Sequence, residues 1–222
     1  MPAVSTPVRR TQQERRDATR RALLEATTAC LIEQGYQGTT TTAVCDRAGL
    51  SQGALFRHFP TKQALLSASA EHLYDQLDQR FVQQFRRLDR GERSAPDDDT
   101  PAARHSRRVQ RAVHLLWQVF QSDELGASLE LELAARTDPA LRADLEPVLA
   151  DHGERIRQLT AELFPDAVRD EHYERTIDLV LELMLGMAVS RMVDRSDRHY
   201  RRLLDHVVEL ATSALSDTRP TR

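Results

Sequence analysis

Between Thr39 and Lys62 the chain gathers hydroxyls, one amide, three cations and an imidazole: TTTTAVCDRAGLSQGALFRHFPTK. No metal-ligand or acid–base spacing accompanies them there or elsewhere, so the chemistry on offer is recognition and not catalysis. The Gln52 amide can pair bidentately with adenine, and Arg57 can read a guanine or hold a phosphate. Two short helices must position these groups. The spacing predicts the first over Thr42–Ala48 and the second over Gln52–Phe59. Gly49 supplies the backbone freedom of the turn, and Ser51 is a good N-cap for the second helix. Val44, Leu50 and Leu55 are spaced to share a small core. A helix pair of this size with a glycine turn is the helix-turn-helix pattern, whose second helix enters the DNA major groove.

The flanking sequence predicts more helix. From about Thr11 to Gln34, Leu23, Leu24, Thr27, Cys30 and Leu31 make one buried stripe, with Gly35 as the C-cap that ends it. Residues 1–10 read as a flexible basic arm; Arg9, Arg10, Arg15 and Arg16 could reach a phosphate backbone or a minor groove, or the arm could be a solvated tail. The net charge of −3 is uneven: residues 1–62 carry +4 and the remainder −7. A basic N-terminal piece on an acidic body points to a polyanionic partner for the first piece. Lys62 is the only lysine among 31 basic residues. No run of about 18 apolar residues is present to span a membrane, and the polar N-terminus is no secretory signal. A cytoplasmic location follows as an expectation. Cys30 and Cys45 fit it as buried thiols, and no cofactor or metal is expected.

The string GYQGTTTTAVCDRAGLSQGALFRHFPTKQALL strongly resembles the DNA-binding domain of the TetR family of bacterial transcription regulators. The likeness runs from about Arg15 to Leu77 and is carried by Gly35–Tyr36, Thr39–Thr40, Ala48–Gly49–Leu50–Ser51 and Leu55–Phe56–Arg57–His58–Phe59. The resemblance implies an all-α fold, with a three-helix helix-turn-helix domain followed by a helical ligand-binding and dimerisation domain. The expected boundaries are 11–62 and 63–222. Thr40 caps the first helix of the pair, where its hydroxyl and free N–H groups can seat a phosphate that Thr39 shares. Ser51, Gln52 and Gly53 open the recognition helix, with Gln52 as reader and Gly53 as clearance. His58 and Lys62 resemble the family's backbone contacts. Phe56 stands where tyrosine is usual, so a phenolic phosphate contact is lost; its ring touches a thymine methyl or merely packs. Cys45 stands where alanine is usual. The plainer alternatives are a cap and loop for Thr39–Thr42, a packed His58 and a solvated Lys62.

The rest reads as a helical body. A long helix is expected over Thr61–Leu88, with Leu66, Leu73, Leu77, Phe81, Phe85 and Leu88 on its buried face. A polar loop, Gly91–Pro101, follows. The next helix is expected over Ala102–Gln121, with a stripe of Val109, Val113, Leu116 and Phe120. LELEL within Asp123–Arg136 alternates like a strand, but its helix formers and lack of a pairing partner favour helix. Asp138 and Pro139 open a further helix reaching about Phe164, with Pro147 expected to kink or break it. The last helices are expected over Asp170–Arg195 and Arg198–Ser216. In the first, Ile177, Leu181, Met184, Ala188 and Met192 form one face and Val180, Leu183 and Met187 another, so it must be buried on two sides. The resemblance implies that these last two helices pair with their copies in a second subunit, one face of the first for its own core and one for the partner.

The resemblance implies a homodimer that binds double-stranded operator DNA and a small-molecule effector that releases it, with no enzymatic activity and no membrane partner. A ligand-independent regulator or an activator of the same fold is the rival expectation. Trp117, Phe120, Met184 and Met187 are candidates for an apolar pocket, with His114, Glu130 and Arg136 as polar orienters. The alternative for the apolar members is plain core.

Overall fold

The computed structural model describes residues 11–93, 100–165, 173–194 and 196–215. The expected N-terminal arm with Arg9 and Arg10 lies outside them, as do most of the Gly91–Pro101 loop and the expected helix start at Asp170. Among the described residues there are nine helices and no strand: α1 Gln12–Gly38, α2 Thr41–Ala48, α3 Gln52–His58, α4 Lys62–Arg93, α5 Pro101–Phe120, α6 Asp123–Ala135, α7 Pro139–Leu163, α8 Tyr173–Arg191 and α9 Asp197–Leu215. LELEL lies inside α6, where helix propensity outweighs alternation.

The chain divides into two compact units. One takes Met1–Leu73 with Ala127–Glu146, the other Tyr74–Gly126 with Pro147–Arg222. The boundary therefore falls inside α4, α6 and α7.

In the first unit, α1 packs on α2 and α2 on α3. Leu23, Leu24, Cys30, Val44, Cys45, Leu55 and Phe59 form its core. Polar caps fix the helix ends. Thr11 and Glu14 make a reciprocal capping box at the start of α1. Gly35 does not end α1 outright. It takes φ 67° and ψ −178°, a region that disfavours a side chain, and one more turn follows to Gly38. The Gly35 carbonyl then accepts from both the N–H and the hydroxyl of Thr39.

The second unit is built from long amphipathic pieces, with α5 on α9, α8 on α9 and α5 on α8. Phe85, Val109, Trp117, Met184, Tyr200, Leu204 and Val207 lie in its core. The two expected faces of α8 sort differently. Val180 and Met187 join Ile177, Met184 and Ala188 inside, while Leu179, Leu183 and Met192 stay exposed. Leu88 is also exposed, contrary to the stripe expected on α4.

Pro147 neither ends nor splits α7, which is assigned as helix through it. Proline removes one helical N–H and crowds the carbonyl a turn earlier, at a cost of about 3 kcal/mol. Burial of Leu141 and Leu145 on the preceding turns holds the helix against that cost.

Candidate functional site

The helix pair is set by three backbone devices. The Thr40 hydroxyl accepts from Ala43 N–H at 3.1 Å, and Ser51 accepts from Ala54 N–H at 3.2 Å. Gly49 closes α2 in the left-handed region at φ 65°. A Cβ there would meet nothing within 4 Å, so the demand for glycine is conformational and not steric. Beneath them, Leu55 is fully buried with Val44 and Cys45. Turning Leu55 inward turns Ser51, Gln52, Gly53, Phe56 and Arg57 outward, and all five are exposed. A Cβ on Gly53 would touch only Ser51 Oγ, at 3.9 Å, so this face is flat and open.

Each expected contact residue has a definite place. Thr40 is exposed at the free N-terminus of α2, whereas Thr39 is buried with its hydroxyl spent on Gly35. Gln52 Nε2 donates to Thr42 Oγ1 at 2.9 Å, which orients the amide on the open face. Phe56 is 45 % exposed; its ring does not pack into the core. His58 is half-buried 6.4 Å from the Phe59 ring. Burial, then the nearby Arg16, Arg57 and Arg20, hold its pKa below the usual histidine value. Lys62 Nζ stands 5.0 Å over the Tyr36 ring. Burial lowers its pKa, against the pull of Asp138.

A polar cluster that sequence reasoning missed surrounds Tyr36. Its N–H donates to Glu130 Oε2 at 2.8 Å. Its hydroxyl donates to Asp138 Oδ2 at 3.3 Å, an oxygen that also accepts from Gln63 at 3.3 Å. Asp138 Oδ1 meanwhile caps α7 through the Ala140 and Leu141 N–H groups, both at 3.0 Å. The Leu141 N–H first, then Gln63, hold the Asp138 carboxyl below its ordinary range against burial, with Ala140 and Tyr36 adding to them. Ser67 Oγ ties α4 to α7 through the Asp144 carbonyl at 2.6 Å. The cap at Asp138–Pro139 is legible in the sequence. Its bond to a tyrosine 102 positions earlier is not.

The second unit holds a mostly apolar cavity of about 130 Å³. Phe81, Val113, Leu116, Phe120, Ile177 and Leu181 are among its walls. Of the residues expected to bind a ligand, only Phe120 lines it. Trp117, Met184 and Met187 are packed in the core, Trp117 with its ring centroid 6.2 Å from Tyr200. His114 is exposed against the Gln110 carbonyl. Glu130 and Arg136 belong to the first unit, where Glu130 holds Tyr36 and the Arg136 carbonyl accepts from Arg142. Trp117, Met184 and Met187 are not told apart from cavity walls in the sequence because an aromatic or methionine on a buried face has the same signature whether it fills a core or walls a hole. Among the described residues, no cluster of three His, Cys, Asp or Glu could hold a metal, and no helix is long and apolar enough to cross a membrane.

Comparisons with known proteins converge. The family described as bacterial regulatory proteins, tetR family, matches residues 23–69. The HTH-type transcriptional regulator CymR of Pseudomonas putida is 32% identical over 192 residues, covering 86% of this chain and 76% of CymR. The HTH-type transcriptional repressor AcnR of Corynebacterium efficiens is 28% identical over 176 residues, 78% of this chain and 81% of AcnR. Among solved structures, multidrug binding protein EbrR complexed with imidazole aligns with a TM-score of 0.60 at 19% identity, covering 90% of this chain and 96% of that one. At that identity the likeness is one of fold.

Proposed function

The chain belongs to the TetR family of bacterial transcription regulators, and from that premise we propose that it is a cytoplasmic homodimeric repressor, released from its operator when a small molecule fills the cavity of the second unit. It is a helix-turn-helix regulator and not an enzyme. The observation that carries the DNA-binding reading is the exposed face of α3, where Gln52, Gly53, Phe56 and Arg57 lie at the surface over a buried Leu55.

Residues 11–62 then read the operator, and the body from residue 63 onward dimerises and receives the effector. Gln52 reads base edges, Arg57 a guanine or a phosphate, and Phe56 a thymine methyl. Thr40 and the α2 N-terminus seat one phosphate, and His58 and Lys62 hold others. The buried Thr39 sets the geometry of Thr40. Two copies place their recognition helices in successive major grooves about 34–36 Å apart. The exposed Leu179 and Leu183 of α8 and Leu210 of α9 are the surface a second copy covers. One relative is named a repressor and one structural neighbour a multidrug binding protein, which supports the sign of control and the effector. Ligand and operator then weaken each other by the same factor, worth about 1–3 kcal/mol of coupling.

Selection from random DNA, followed by salt titration on the chosen site, tests this reading. Wild type is expected to select a near-palindrome with steep salt dependence. Gln52→Ala should change the selected bases, and Lys62→Ala should weaken all sites alike. Absence of any selected site would sink the reading.

A further inference from the structure

Asp138 attracts the Lys62 ammonium, yet its own acceptor positions are taken. A carboxylate offers about four of them. The Ala140 and Leu141 N–H groups occupy Oδ1, and Tyr36 and Gln63 occupy Oδ2. The ammonium is placed by the Tyr36 ring instead. Nζ stands 5.0 Å from the ring centroid, inside the roughly 6 Å over which an aromatic face attracts a cation.

Both the ring and the root of the lysine are anchored. The Tyr36 N–H donates to Glu130 Oε2 at 2.8 Å and its hydroxyl to Asp138 at 3.3 Å. The first of these bonds needs the glycine before it, since a Cβ on Gly35 would come 2.7 Å from the same Glu130 oxygen. Lys62 is the first residue of α4, and Thr61 caps that helix by accepting from the Ala64 N–H at 2.9 Å. Burial pushes the Lys62 pKa down, against Asp138, so part of the water around the ammonium is already gone.

We propose that Tyr36 is a positioning residue for DNA binding, its ring holding the Lys62 ammonium in place for a backbone phosphate. This rests on the reading of Lys62 as a phosphate contact. A long side chain that is loose in solution loses its rotamer freedom when it grips a phosphate, and that loss is subtracted from affinity. On the Tyr36 ring the loss is taken in folding. A carboxylate under the ammonium would compete with the phosphate for its charge and its N–H groups. A ring face holds the cation and leaves those N–H groups to the phosphate oxygens.

The test is a double-mutant cycle, read by anisotropy titration of the full chain on its selected operator across a range of salt. Lys62→Ala should weaken binding and lower the salt slope by about 1 per subunit. Tyr36→Leu should weaken binding about tenfold when Lys62 is present, and less than about twofold in the Lys62→Ala background. Tyr36→Phe keeps the ring and gives up the Asp138 bond, and should lose less than Tyr36→Leu. Where Tyr36→Leu does not fold, phenylalanine and its mono-, di- and trifluorinated forms at position 36 decide the point. Fluorine draws electron density from the ring face at nearly constant shape, so affinity should fall stepwise with Lys62 present and stay level with Lys62→Ala. Equal losses from Tyr36→Leu in both backgrounds, a Tyr36→Phe loss as large as that of Tyr36→Leu, or a level fluorine series with Lys62 present overturns the role of the ring and leaves Lys62 a phosphate contact. Unchanged affinity and salt slope in Lys62→Ala overturns both.

Discussion

Leu55 and Met184 are each fully buried, yet the cores around them are built by different rules. Around Leu55 the helices are short and their ends are pinned by Thr40, Gly49 and Ser51. Around Met184 the helices are long and amphipathic, and their packing leaves a hole. A seven-residue helix is far too short to be stable alone. α3 owes its position to its cap and to Leu55, so geometry in the first unit is specified nearly residue by residue. The second unit spreads its burial over many turns and can spare a cavity. A surface that must match a DNA groove tolerates little play, whereas long helices that share their burial over many turns can keep a hole.

That contrast can be broken in graded ways. The largest effect is expected from Leu55→Ala, which should cost about 2–5 kcal/mol in urea unfolding and abolish operator binding. Next, one substitution made in both units compares them directly. Ala26 is buried in the first core, and Ala26→Leu should cost about 1–3 kcal/mol by overpacking. Ala112 lines the cavity, and Ala112→Leu should stay within about 1 kcal/mol of wild type because the space exists. Equal costs would erase the distinction.

A smaller effect concerns acid. Hydrogen bonds from Leu141, Gln63, Ala140 and Tyr36 hold the folded Asp138 pKa below its unfolded value. Its contribution is then complete above the unfolded pKa, near pH 4, and is lost as pH falls through the folded one. Asp138→Asn should flatten the acid limb of a stability–pH curve, and an unchanged limb would remove Asp138 from the pinning of the first unit. The smallest effect is on binding. The His58 pKa is held below its ordinary value by burial and then by Arg16, Arg57 and Arg20. DNA phosphates favour its charged form, so operator affinity should rise modestly as pH drops from about 7 to 6. His58→Gln should remove that slope in anisotropy titrations.

What the sequence discloses follows the range of the forces involved. The helix pair, its caps and the inward Leu55 are legible because each depends on neighbours three or four positions away. Asp138 shows itself as a cap for the same reason. Its hold on Tyr36, and that of Glu130, act across 102 and 94 positions, and no local pattern encodes them. On α8 the period is right but the burial is not: Leu183 and Met187 lie one turn apart on the same side of the helix, yet Leu183 is exposed and Met187 buried. The cavity is the least legible feature. Its walls are mostly ordinary apolar residues from α4, α5, α7 and α8, which meet only once those helices are folded.

The composition of the first unit also sets a timetable for its assembly. It is not one run of chain: Leu73 is followed by 53 residues of the other unit before Ala127–Glu146 completes it. Tyr36 and Ser67 wait for Glu130 and Asp144 as hydrogen-bond partners. At about 5–20 residues per second, synthesis of residues 74–146 takes roughly 4–15 s. During that interval the helix-turn-helix is already made but lacks the segment that closes it. A nascent regulator is therefore a late binder, completed only after two-thirds of its message has been read.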